Sequence, residues 1–303
     1  MSDPTVSVII AAYNCPEVLG EAVESVRRQT YQDFEVIVVD DGSTDATWSV
    51  VESLAAGWPK LRGIRADHKG LAAARNRGIE AMRGRWIALL DADDLWLPEK
   101  LQRCMDYLAA HGDLSVVYTP MTPIRLDGTP MRGHSKPCRS GRLTRELFKS
   151  IFIHDPAAVF HKRVIDTCGS FDESLPVCVG HEFWLRVSTR FEIGLIDEPL
   201  AMRRWHEKSL TRSDRARARC VKAGMLERFY FERGGRELLD RGEALRRLSK
   251  VSYAAGKILL KRRRPAEARG YLAKAIRYNR ANLKAYPLYL AAILARLLPG
   301  RRR

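Results

Sequence analysis

No stretch of the 303 residues approaches the roughly 20 consecutive apolar positions of a membrane-spanning helix, so the sequence does not read as crossing a bilayer. Met1-Ser2-Asp3-Pro4 is not a basic region leading into an apolar one, so no secretory signal peptide is expected. Cysteine pairs with metal-binding spacing are also missing. Cys15, Cys104, Cys138, Cys168, Cys178 and Cys220 are scattered, which argues against a zinc site and for reduced thiols in a cytoplasmic protein. Acidic residues are scarce in one region only. Residues 204–303 hold 28 Lys and Arg against 8 Asp and Glu, while residues 1–203 hold 24 against 28. The net charge of +16 is therefore a slightly acidic body followed by a strongly basic tail. That asymmetry points to a polyanionic partner of the tail. The tail's aromatic residues form no evident stacking platform, so an anionic membrane surface is expected rather than nucleic acid.

What the sequence does have is centred on Trp86-Ile87-Ala88-Leu89-Leu90-Asp91-Ala92-Asp93-Asp94. A short, continuous apolar run reads as a strand buried on both faces, and here it delivers three carboxylates at its carboxyl end. Open α/β sheets bind ligands at that end, and oxygen-preferring divalent cations relieve the repulsion among such carboxylates. A solvated acidic turn is the plain alternative, but Glu35–Val39 is a second buried run leading into Asp40-Asp41. Val6–Ala12 reads as the first strand and Leu61–Ala66 as a short third one. Helical spacing follows Pro16, includes Trp48, Val51 and Leu54 after a cap at Ser43 or Thr44, and returns over 70–82 with Arg75 and Asn76. Strands alternating with helices of about a dozen residues imply βαβ units and a doubly wound, mostly parallel α/β sheet. Residues 120–142, rich in Pro, Gly, Ser and Arg, read as a loop. From Ser213 onward the pattern is purely helical. The expected domains are thus a body over 1–212, in halves of about 1–119 and 143–212 on either side of that loop, and a basic helical extension over 213–303.

These residues resemble family 2 glycosyltransferases. Val6–Asn14, Val38–Asp45, Gly70–Asn76, Leu90–Asp94, Gly169–Leu175, Trp184-Leu185-Arg186, Arg203–His206 and Ser209-Leu210 stand in that family's order over roughly residues 4–212. The resemblance implies a GT-A fold, a nucleotide-diphosphate sugar donor such as a UDP-sugar, Mg²⁺ or Mn²⁺, and inversion at the anomeric carbon. It also implies cell-surface polysaccharide synthesis, with a glycan or lipid-linked saccharide as acceptor. Asp91 and Asp93 resemble the family's D-x-D, with Asp93 as direct metal ligand, and His206 resembles a histidine that completes the metal shell in some relatives. Tyr13, Asp40 and Asp41 resemble residues that hold the nucleoside, and Arg75 an arginine near the donor.

One departure stands out. The family's acidic pair, whose Asp is the general base, aligns with Val179-Gly180 here. Glu182 and His181 are the nearby groups able to take a proton, although on a helix Glu182 would point about 200° away from Gly180. A catalytically impaired, glycosyltransferase-like binding or scaffold protein therefore stays open. A D-x-D phosphatase fits less well, because its motif belongs on the first strand and Leu95 stands where it needs Thr or Val. In the tail, Ala254-Ala255-Gly256, Leu259, Ala266-Glu267-Ala268, Tyr271-Leu272 and Ala275-Ile276 resemble one tetratricopeptide-type helix pair. Leu288–Leu298 with the terminal arginines suits peripheral binding at the cytoplasmic face of an anionic membrane.

Overall fold

The computed structural model describes residues 3–131, 138–205 and 214–297. The chain divides into two compact units, Met1–His206 and Glu207–Arg303.

The first unit begins with four strands, β1 (Val6–Ala12), β2 (Phe34–Asp40), β3 (Leu61–Arg65) and β4 (Trp86–Asp91), paired in parallel. Their crossovers are α1 (Pro16–Arg27), α2 (Thr47–Ala56) and α3 (Leu71–Ala81). β2 is buried along its whole length and β1 along all but one residue, which is why both are largely apolar without alternation, the buried Ser7 donating to Glu35. Pro16 occupies the first turn of α1, where its missing N–H costs no hydrogen bond, and the helix buries Leu19, Ala22, Val23 and Val26. α2 starts later than expected. Asp45, rather than Ser43 or Thr44, accepts from Thr47 N at 2.9 Å, while Ser43 Oγ accepts from Asn14 N.

The chain continues through β5 (Leu95–Trp96), α4 (Lys100–Ala110), β6 (Val116–Tyr118), β7 (Met121–Ile124) and α5 (Thr144–Lys149). It ends the unit with β8 (Ala158–His161), α6 (Arg163–Cys168), α7 (Val179–Val187), β9 (Gly194–Leu195) and β10 (Ala201–Arg204). The main sheet has the order β3-β2-β1-β4-β8-β6-β9, with β8 antiparallel to both its neighbours. Strand order reverses between β1 and β4, the switch point where such sheets bind ligands. A small sheet, β5-β10-β7, takes one strand from the expected loop: Met121–Ile124 is β7. Pro123 is tolerated because β7 is an edge strand.

The register puts the acidic strand ends side by side. Ala12 pairs with Asp40 on one flank of β1, and Ala11 pairs with Asp91 on the other. α3 lies close against the sheet at Gly78, where a Cβ would come within 2.4 Å of Ile9 Cγ2. Any larger residue would push the helix away, and with it Arg75, one turn nearer the strand ends.

The second unit is all helical: α8 (Arg215–Glu232), α9 (Gly235–Leu238), α10 (Arg241–Lys261), α11 (Pro265–Tyr278) and α12 (Ala285–Leu297). Asp214 caps α8, accepting from Ala216 N and Arg217 N, and Asp240 caps α10, accepting from Glu243 N at 2.7 Å. Leu259, Ala268, Leu272 and Ala292 form the core between α10, α11 and α12. Along α12, Tyr286, Leu290 and Leu294 are exposed at helical spacing. Among the described residues, no helix is long and apolar enough to cross a membrane.

Candidate active site

Asp91 closes β4, and Asp94 N donates to Asp91 O at 3.0 Å, turning the chain so that three carboxylates converge. One ligand atom each from Asp91, Asp93 and Asp94 lies within 4.8 Å of the others. Asp94 is buried, and its Oδ1 accepts from Arg204 N at 2.9 Å. Burial first, and then the charges of Asp91 and Asp93, hold the Asp94 carboxyl well above the usual carboxylate range. Burial also raises Asp91, against the opposing pull of Arg75. An all-oxygen cluster whose ionisation is this strongly opposed is chemically suited to a hard divalent cation.

Arg75 is buried, and its two terminal nitrogens are both engaged. Nη2 donates to Asp91 Oδ1 at 2.6 Å and Nη1 to Asp155 Oδ2 at 2.7 Å. The guanidinium therefore serves as a bridge between two carboxylates and is not presented to solvent for a phosphate. Both neighbours raise its pKa, outweighing desolvation. Asp155 Oδ1 accepts in turn from Trp184 Nε1 at 2.7 Å. Asp155 belongs to a 3-10 turn, Asp155–Ala157, that is fixed by Trp96 Nε1 donating to Pro156 O and Thr119 N to Ala157 O.

On the other side of β1, Asp40 is fully buried. Its Oδ1 accepts from Ser43 N at 3.3 Å, while Oδ2 has no hydrogen-bond partner among the described residues and pairs with Arg65 Nε at 3.7 Å. Asp41 accepts from Lys69 N and Gly70 N, both at 2.9 Å, and its Oδ2 lies 2.8 Å from His68 Nδ1. Tyr13 is 44% exposed and stacks on His68, ring centroids 4.1 Å apart. Tyr13, Asp40 and Asp41 thus stand at the ends of β1 and β2, with Asp41 organising the 68–70 loop.

Glu182 and His181 are not brought into this group. α7 is helical from Val179, so Glu182 faces away from Gly180. Its oxygens accept from Arg186 Nε at 3.1 Å and Nη2 at 2.9 Å. His181 Nε2 lies 2.8 Å from Leu147 O. His206, expected as a metal ligand, lies outside the described residues. Asp155 and His68 had no signal in the sequence, since an Asp before Pro156 reads only as a turn.

The sequence matches the family described as Glycosyl transferase family 2 over residues 7–169, more than half the chain. The chain belongs to glycosyltransferase family 2. It is 33% identical over 186 residues to the chondroitin synthase of Escherichia coli, an alignment covering 61% of this chain and 26% of that protein. The chain thus spans about a quarter of that relative's length. Among the solved structures that share the fold are two with bound donors. Staphylococcus aureus TarS 1-349 in complex with UDP-GlcNAc is 18% identical, with a TM-score of 0.64 over 95% of this chain and 92% of that one. A mannosyltransferase from Pyrobaculum calidifontis in complex with GDP-Man and Mn²⁺ is also 18% identical, with a TM-score of 0.59 over 98% and 88%.

Proposed function

We propose that the chain transfers a sugar from a nucleotide-diphosphate donor, a UDP-sugar, to a glycan or lipid-linked saccharide, with inversion at the anomeric carbon, in cell-surface polysaccharide synthesis. The observation that carries this reading is the convergence of Asp91, Asp93 and Asp94 at the switch point of a family 2 sheet. Asp93 and Asp91 would hold Mg²⁺ or Mn²⁺, with His206 as a further ligand. Bound there, the cation would neutralise the departing diphosphate as a Lewis acid. The Mn²⁺-bound mannosyltransferase and the donor-bound TarS, both of this fold, support the choice of donor class and ion.

The chain's own residues would prepare the donor. Tyr13 offers a ring face to the base, and Asp40 Oδ2, which accepts no hydrogen bond from the described residues, offers an acceptor to a ribose hydroxyl or a base N–H. Asp41 fixes the 68–70 loop beside them. Arg75 keeps Asp91 oriented. A non-catalytic binding protein is the second reading, favoured by glycine at position 180, where the family's base would stand. Donor hydrolysis and transfer, measured over several nucleotide sugars with and without Mn²⁺, separate the two. Cation-dependent turnover of a UDP-sugar is expected. Tight donor binding with no turnover of any donor would leave the binding protein.

A further inference from the structure

We propose that Asp155 is the general base of the transfer reaction, supplying from the turn before β8 the carboxylate that α7 lacks at Gly180. The assignment rests on the glycosyltransferase reading above. Its geometric ground is direct. A Cβ built on Gly180 would lie 2.3 Å from Asp155 Oδ2, 2.4 Å from Oδ1 and 2.7 Å from Cγ. The Asp155 carboxylate therefore fills the space in which any side chain at position 180 would begin. An aspartate at 180 and the present Asp155 exclude one another, and the chain holds one carboxylate at this place, delivered from a different element.

The surroundings suit the role. Arg75 joins Asp155 to Asp91, so one guanidinium separates the carboxylate from the acidic cluster at the end of β4. The Asp155 side chain keeps 13% of its surface exposed. A carboxylate offers about four acceptor directions. Arg75 and Trp184 occupy two of them, one on each oxygen, which leaves acceptor capacity for a hydroxyl. The 3-10 turn and its two backbone anchors fix the group in advance, as a positioned base requires. The acceptor hydroxyl becomes more acidic as its oxygen bonds to the anomeric carbon, so a weak base suffices. In the balanced step, the hydroxyl oxygen bonds to the anomeric carbon and its proton passes to Asp155. The bond from that carbon to the diphosphate oxygen breaks, and the nucleoside diphosphate leaves with the electron pair. Glu182 cannot serve in the same place while both its oxygens are held by Arg186 on the opposite side of α7.

The test uses the full chain with Mn²⁺, the donor turned over by the parent and its acceptor, and measures kcat, nucleoside diphosphate affinity and melting temperature for each variant. Asp155→Asn keeps the shape and removes the charge. Its kcat should fall by about 10²–10⁴-fold, the usual contribution of a general base, with nucleoside diphosphate affinity within about threefold of the parent. Gly180→Asp alone should melt lower, because the two carboxylates collide. Asp155→Ala with Gly180→Asp moves the carboxylate back to the helix and should recover at least about tenfold in kcat over Asp155→Ala alone, within the range a general base contributes. The assignment is overturned if Asp155→Asn keeps kcat within about threefold of the parent, a loss far below that of a general base. A folded, nucleotide-binding double variant no faster than Asp155→Ala overturns it too. Loss of kcat in Glu182→Gln, with Asp155→Asn unaffected, would place the base on Glu182. A parent inert toward every nucleotide sugar would instead overturn the functional reading and this assignment with it.

Discussion

In the first unit, charged side chains are turned inward: Asp40, Arg75, Asp94 and Lys100 are each at most 2% exposed. In the second unit, the buried polar side chains among the described residues are Ser249 and Ser252 alone, although that region carries most of the basic residues. Removing a charge from water costs free energy unless pairing offsets it. The first unit accepts that cost at the ends of β1, β2 and β4, where carboxylates and Arg75 meet. The second keeps its charge in solvent, where it acts at a distance and is screened by salt. Buried charge in this protein therefore marks short-range chemistry, and surface charge marks long-range attraction.

The sharpest way to break that comparison is at Asp93. Asp93→Asn should abolish cation-dependent nucleotide binding and lower transfer about a thousandfold, the several kcal/mol of charge stabilisation a metal supplies. Calorimetric titration with the nucleoside diphosphate and Mn²⁺ checks it, and unchanged affinity would refute the D-x-D role.

Lys100 tests whether every buried charge in the first unit is functional. Its Nζ lies over the Trp96 ring at 3.8 Å and has no hydrogen-bond partner among the described residues, and burial pushes its pKa from 10.5 to about 8. Between pH 8 and 10.5 the unfolded chain binds a proton that the folded chain has released, so stability should rise with pH across that window. The rise is worth about 3 kcal/mol. Lys100→Met should remove it and stabilise the protein at pH 7 by a similar amount, read by urea unfolding of parent and variant across that range. A variant less stable at pH 7 would show that the ammonium contributes more than it costs.

Asp41→Ala should weaken donor binding by about 1–3 kcal/mol, because Lys69 N and Gly70 N lose their acceptor and the loop beside the donor loosens. Thermal shifts with uridine and guanosine diphosphates measure it. Equal shifts that ignore the mutation would remove Asp41 from the donor site.

The smallest effect concerns the second unit. We propose that its basic helices, with Leu290 and Leu294 exposed on α12, bind anionic vesicles with an affinity that falls steeply with salt. Leu290→Ser with Leu294→Ser should reduce vesicle sedimentation several-fold, each side chain at the membrane surface contributing only a fraction of the roughly 1.5–3 kcal/mol of full burial. Turnover of a soluble donor should stay at the parental level. Equal sedimentation of parent and variant would leave the basic surface to another partner.

The sequence by itself determined the parallel half of the sheet. The apolar runs Val6–Ala12, Glu35–Val39 and Trp86–Leu90 have no solvent-facing alternation, and each ends in residues that interrupt it. Asp91, Asp93 and Asp94 were legible for the same reason, since they follow one strand without a gap. Edge elements with a broken pattern were not legible. β7 carries a proline and pairs only at an edge, so its residues read as a loop. Tertiary structure alone decided the rest of the site. The bridge from Asp91 through Arg75 to Asp155 spans residues 16 and 80 positions apart, and no local pattern encodes such a separation. The same holds at Gly180. In sequence the position shows only that an acid is missing, whereas in the fold its absent side chain leaves the space that the Asp155 carboxylate fills.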